Sequence, residues 1–94
     1  VDKQSLETKE DLLRRLRRIE GQVKGIQRMI GDDKTCIDIL TQVSAVRAAI
    51  GKVGSLILEK YSMTCIQNAA LSDDKDKSLA DFANAMKSFM KFSE

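Results

Sequence analysis

The stretch Ile39-Leu40-Thr41-Gln42-Val43-Ser44-Ala45-Val46-Arg47-Ala48-Ala49-Ile50-Gly51-Lys52-Val53-Gly54-Ser55-Leu56-Ile57 decides the fold, because it either turns at its two glycines or runs through them. A hairpin at Gly51-Lys52-Val53-Gly54 gives two short helices and places Cys36 beside Cys65 within one chain. A continuous helix sends the two cysteines to opposite ends. Helical phase separates the two cases. At about 100° per residue, Ile39, Val43, Val46, Ile50, Val53 and Ile57 all fall within an arc of about 80°. The stripe keeps its phase through both glycines, with no polar turn residue between them. The spacing therefore predicts one helix, capped at Asp33 and running to about Cys65.

Two more helices flank it. Leu12, Leu16, Ile19, Val23, Ile26 and Ile30 recur at spacings of three and four, which predicts a first helix from about residue 6 to residue 30. Gly31 is expected to end it in the left-handed cap position. A third helix is expected after Ser72-Asp73-Asp74, with Leu79, Phe82, Ala83, Met86 and Met90 as its apolar face. Residues 1–94 read as a single domain, with 1–8 as a flexible tail. The fold class is all-α, a three-helix protomer with a long second helix.

One chain is not enough to cover that helix. It spans about 45 Å, whereas a compact globule of this length has a radius of gyration of about 12–13 Å. An antiparallel dimer of helical hairpins, forming a four-helix bundle, buries the stripe with the fewest assumptions. The third helix then covers an end of the bundle or joins dimers into a tetramer. Composition agrees: 43% hydrophobic residues, only 4% aromatic and no proline leave little vocabulary for a sheet. No apolar run approaches membrane-spanning length, and no charged-then-apolar segment opens the chain. The expectation is a soluble, unexported, cytoplasmic protein without a membrane partner.

The chain contains no histidine and two cysteines. Histidine is the commonest metal ligand and acid/base side chain, so its absence removes most metal and catalytic readings. Neither a catalytic pair of carboxylates nor a Gly-rich phosphate loop is present, and an enzyme is not expected. No cofactor is implied. Thiol chemistry is left.

Cys36 and Cys65 are 29 residues apart, which on one helix is about 43 Å. An intrachain disulfide needs Cα atoms within about 7 Å. On the helical wheel, however, Cys36, Tyr61 and Cys65 share an arc of about 40°. Common facing at opposite ends becomes proximity in an antiparallel dimer, where Cys36 lies opposite Cys65 of the partner subunit. Cys36 falls in the first turn, where the helix dipole and free amides favour an anionic sulfur, so it is the candidate attacking thiol. Cys65, near the last turn, is the candidate resolving thiol. Two alternatives stay open: both cysteines are ordinary small hydrophobes, or the two thiolates bind Cu(I). A tetrahedral zinc site wants four ligands. Tyr61 is a poor ligand for a soft cation and reads as a wall of the site.

The net charge of +2 conceals an asymmetry. Residues 9–28 hold seven positive charges against Glu10, Asp11 and Glu20, a balance of +4. Arg14, Arg17, Arg18, Lys24 and Arg28 fall within about 120° opposite the apolar stripe. Gly21 and Gly25 share that face and keep it flat. The pattern suits double-stranded DNA bound through phosphates. No aromatic platform for single strands is interleaved, and the second helix is too long for a helix-turn-helix. A solvated face of a thiol-bearing interaction module with no DNA role is the competing reading.

The run Arg14-Arg15-Leu16-Arg17-Arg18-Ile19-Glu20-Gly21-Gln22-Val23-Lys24-Gly25-Ile26 and the run Cys36-Ile37-Asp38-Ile39-Leu40-Thr41-Gln42-Val43-Ser44-Ala45-Val46-Arg47-Ala48-Ala49 strongly resemble the CsoR/RcnR family of bacterial repressors. The resemblance covers about residues 9–90. It implies a dimer-of-dimers tetramer that binds operator DNA until an inducer reaches the sensor cysteines. Copper-sensing members use a cysteine, a histidine and a second cysteine. Here the cysteine positions match Cys36 and Cys65, the histidine position is Tyr61, and the outer tyrosine and glutamate positions are Thr35 and Asp81. Nickel and cobalt sensors also depend on histidine. Formaldehyde sensors use the first cysteine with an N-terminal amine, which leaves Cys65 unexplained. Two cysteines without histidine are similar to the persulfide-sensing, CstR-like branch, in which persulfide or polysulfide drives a di- or polysulfide bridge between subunits. Arg15 and Lys52 match positions used for operator binding. Arg14, Arg18, Lys24 and Arg47 join them from the charge map.

Overall fold

The computed structural model describes the backbone of residues 3–93 and the side chains of residues 8–91. Its elements are α1 (Lys3–Gly31), α2 (Cys36–Ala70) and α3 (Lys75–Ser93), with no strand among the described residues. α2 passes through Gly51 and Gly54 without a break, as the phase of its stripe required. α1 starts at Lys3, earlier than the expected start at about residue 6. Lys3, Gln4, Leu6 and Glu7 are good helix formers, and nothing there breaks a helix. Residues 1 and 2 of the tail expected over 1–8 lie outside the described residues.

Both helix boundaries around residue 33 differ from expectation. The amide of Lys34 donates to the carbonyl of Met29 at 3.0 Å, and the amide of Asp33 donates to the carbonyl of Ile30 at 3.2 Å. This nested pair is a Schellman motif, and its left-handed residue is Asp33, with φ of 55°. Gly31, by contrast, stays helical. Aspartate tolerates the left-handed region better than most residues because its short polar side chain bonds locally. Asp33 therefore cannot be the cap of α2. Thr35 takes that role: its Oγ1 accepts from the amide of Asp38 at 3.2 Å. Cys36 consequently becomes the first residue of α2. At α3 the expected cap region holds, with Asp74 Oδ1 accepting from the amide of Lys77 at 3.2 Å.

Packing divides into two compact units, residues 1–53 and 54–94. In the first, Leu12, Ile19 and Val53 are buried, and Ile26, Ile39, Val46 and Ile50 are half-buried. The other edge of the same stripes is exposed, with Leu16, Val23 and Ile30 on α1 and Val43 on α2, and Leu40 beside the α2 stripe is exposed too. One protomer thus uses one edge of each stripe. An apolar edge of that length is the kind of surface that a helical partner covers.

The second unit is built around a close approach. The ring of Phe89 lies against Gly54, where a Cβ would overlap three ring carbons, the farthest at 3.0 Å. Phe82 and Met86 are half-buried beside it, and Leu79 and Met90 are exposed. The expected α3 face is corrected on that point: it is centred on Phe82, Met86 and Phe89, because Gly54 leaves room for a ring.

Gly51 has nothing within 4 Å of a Cβ. The two glycines should therefore respond oppositely to alanine. Gly51→Ala is expected to raise stability by up to about 1 kcal/mol through helix propensity. Gly54→Ala should lower it by about 1–2 kcal/mol through overpacking against Phe89. Urea denaturation midpoints check the sign, and Phe89→Ala should cancel most of the Gly54 penalty.

Candidate functional site

The caps just described place the candidate residue Cys36. Thr35 holds the start of α2 open, and Cys36 follows as its first helical residue, exposed and unbridged. Thr41 Oγ1 donates to the carbonyl of Ile37 at 2.8 Å, one turn further on. Cys65 is also exposed and unbridged, in the penultimate turn of α2. Since α2 does not fold back, no hairpin brings the two sulfurs together. Tyr61, half-buried, stands one turn before Cys65. Asp81 is exposed on α3.

Cys65 also lines a cavity of about 270 Å³ in the second unit, with Ile57, Leu58, Phe82, Met86 and Phe89. Apart from Ser62 and the thiol itself, its side chains are apolar. Among the described residues, no three His, Cys, Asp or Glu side chains cluster as a ready-made cation site. The two thiols stand near opposite ends of α2. Two soft sulfurs suit Cu(I) chemically, while the position between them carries a phenol.

Most of the candidate DNA-binding residues sit on α1. Arg14, Arg17, Arg18, Lys24 and Arg28 are exposed, and Gly21 has open space around it. Arg15 is half-buried, and its Nε donates to Asp11 Oδ2 at 3.0 Å. Arg14 Nη1 reaches Asp11 Oδ1 at 3.4 Å. Asp11 was read from sequence only as a partial neutraliser of the face; it holds two of the candidate DNA-binding arginines. The signal was legible in its i+3 and i+4 spacing to them. Lys52 and Arg47 are exposed on α2.

A second, open cavity of about 370 Å³ lies in the first unit, lined by Gln22, Gly25, Ile26, Arg28, Met29, Asp32 and Gln42. Gln22 Oε1 is shielded from solvent and has no hydrogen-bond partner. An unmet buried acceptor costs about 1–3 kcal/mol. Nothing in the sequence marked this residue.

Three comparisons with known proteins bear on the arrangement. Residues 8–89 match the family described as metal-sensitive transcriptional repressor. The copper-sensing transcriptional repressor CsoR of Bacillus subtilis (strain 168) is 38% identical over 91 residues, 97% of this chain and 90% of that protein. The crystal structure of the copper-sensing repressor CsoR with Cu(I) from Geobacillus thermodenitrificans NG80-2 superposes with a TM-score of 0.72 at 38% identity, covering 96% of this chain and 91% of the other. The nickel-responsive transcriptional regulator InrS gives 0.63 at 36% identity, with 85% and 90% covered. No helix among the described residues is long and apolar enough to cross a membrane.

Proposed function

We propose, from the premise that this chain belongs to the metal-sensitive transcriptional repressor family, that it binds operator DNA and releases it when an inducer joins Cys36 to Cys65 of the partner subunit. One observation carries the reading: both thiols are exposed and unbridged near opposite ends of a single uninterrupted helix. Antiparallel pairing through the exposed edge of Leu16, Val23, Leu40 and Val43 places one end against the other twice per dimer. The third helix then joins dimers into a tetramer.

The inducer class is reactive sulfur. The support is the donor set, in which a phenol occupies the position between the thiols and the chain holds no histidine. The Cys36 thiolate attacks the terminal sulfur of an organic persulfide, giving a Cys36 persulfide and releasing the organic thiol. The thiolate of Cys65 of the partner subunit then attacks the Cys36 sulfur and expels hydrosulfide. Both cysteines are oxidised and the transferred sulfur leaves reduced, so no further oxidant is needed. The bridge ties two subunits together and shifts the bundle from its DNA-competent arrangement.

A second reading is favoured by the likeness to copper-sensing repressors. Cu(I) would be held by Cys36 and Cys65 of the partner subunit, where two soft donors suit it. Operator affinity by fluorescence anisotropy separates the two readings. The reduced protein should bind, and an organic persulfide should weaken binding by a factor within the usual range of about 5–150 for coupled sites. Unchanged affinity after persulfide, with loss after Cu(I), overturns the first reading in favour of the second. Tyr61→His sharpens the contrast: it should strengthen Cu(I) binding, measured by competition with a chelator of known affinity, and leave the persulfide response unchanged.

A further inference from the structure

The cavity of about 270 Å³ beside Cys65 lies wholly within the second unit, between α2 and α3. Gly54, Leu58, Ser62 and Cys65 line it from α2, at the three- and four-residue spacings of one helix face. Phe82, Met86 and Phe89 line it from α3 at the same spacings. No charged side chain is in its wall, and the polar side-chain groups there are the Ser62 hydroxyl and the Cys65 thiol. At one end the Phe89 ring rests on the bare backbone of Gly54. At the other end, about 16 Å further along the helix, stands a free and exposed thiol. Cys36 is not in this wall. The two thiols therefore border different surfaces.

Cys65 lies near the C-terminal end of α2, where the helix dipole works against a thiolate. Selectivity at this thiol has to come from what the neighbouring surface binds. We infer that the cavity holds the apolar group of an organic disulfide while Cys65 takes that group's sulfur. The Cys65 thiolate attacks one sulfur of R–S–S–R, the S–S bond breaks, and its electron pair leaves with the thiolate R–S⁻. The product is a mixed disulfide, Cys65–S–S–R, with R against Phe82, Met86 and Phe89. Cys65 is oxidised and the departing sulfur is reduced, so no other oxidant is needed. A charged R gives up its hydration against a wall that offers no counter-charge, which is unfavourable. An alkyl R gains about fourfold for each methylene that it buries fully. Met86 adapts to differences in its shape, because an unbranched thioether repacks easily. The capture needs Cys65 alone and stands apart from the pairing with Cys36 proposed above.

Alkyl methanethiosulfonates test the assignment, because they deliver the same R–S group to a thiol and release methanesulfinate. The full-length Cys36→Ala chain is the target. No bridge to Cys36 can follow there, which keeps the result independent of the persulfide reading. Intact mass follows adduct formation with the methyl, propyl and pentyl reagents and with the anionic sulfonatoethyl reagent. Each rate is divided by the rate of the same reagent at Cys36 in the Cys65→Ala chain, which removes intrinsic reactivity. On that scale pentyl should exceed methyl by at least about tenfold, a part of the full gain for four buried methylenes. Propyl should fall between them, and sulfonatoethyl should fall below methyl. Ala85 is exposed at the cavity wall, so Ala85→Phe fills the space without removing core packing. That variant should cut the pentyl advantage to less than about threefold, the gain of one buried methylene or less. Equal relative rates for methyl and pentyl, or an advantage unchanged in Ala85→Phe, would each overturn the inference. So would a Cys65 that no reagent reaches because a partner subunit fills the cavity.

Discussion

Mixing a Cys36→Ala chain with a Cys65→Ala chain should restore a persulfide-driven crosslink that neither variant forms alone. Each homodimer of a single variant keeps two thiols of one kind, and these sit at opposite ends of the bundle. The mixed dimer contains one intact pairing, Cys36 from one protomer and Cys65 from the other. Random exchange makes about half of all dimers mixed, each with one bridge in place of two. Non-reducing gels after denaturing and refolding the variants together read the crosslink, and intact mass gives the sulfur content. The operator response should follow the crosslink, absent in each variant and partial in the mixture. A bridge formed by Cys36 alone, or a full response in Cys65→Ala, would contradict the proposed pairing. The effect is all or nothing because α2 has no break. A hinge at Gly51 or Gly54 would have allowed each chain to close on itself.

That continuity was legible because helical phase is a local property, carried by Ile39 to Ile57 without help from the rest of the fold. The cap was less legible. Asp32, Asp33 and Thr35 are all good capping residues, and only one can hold the amide of Asp38. The Schellman turn consumes Asp33, which leaves Thr35. No composition rule ranks those three, since the choice depends on where α1 stops. Phe89 was missed for a related reason: its partner is the empty space of Gly54, and an absent side chain leaves no hydrophobic signal. The division of each apolar stripe was hidden too. Period alone assigns Leu16 and Ile19 to one face, whereas packing buries Ile19 and exposes Leu16. The exposed half is what a second protomer would cover, so the sequence signalled an assembly before it signalled which residues serve it.

Asp11→Asn should raise operator affinity by about tenfold, through release of two guanidiniums. In the free protein Asp11 occupies Arg15 at 3.0 Å and Arg14 at 3.4 Å. Exposed pairs of this kind are worth about 0.2–1 kcal/mol each, and a symmetric assembly repeats them in every protomer. Freed arginines exchange a carboxylate for phosphate and release counterions from the DNA. Arg15→Ala should act in the opposite sense, lowering affinity by about 150-fold if one charged contact of about 1.5 kcal/mol is lost from each of two protomers. It should also flatten the salt dependence by about 0.9 in slope for every phosphate contact removed. The double variant decides whether Asp11 acts through contact or through field. If it acts by holding Arg15, the gain from Asp11→Asn shrinks to the Arg14 share once Arg15 is alanine. If it acts as a bare negative charge near the DNA, the gain is the same in both backgrounds and fades with added salt over a Debye length of about 8–10 Å. Anisotropy titrations at several salt concentrations measure both quantities. The contact model predicts non-additivity, because Arg15 is half-buried and cannot reach DNA and Asp11 at once.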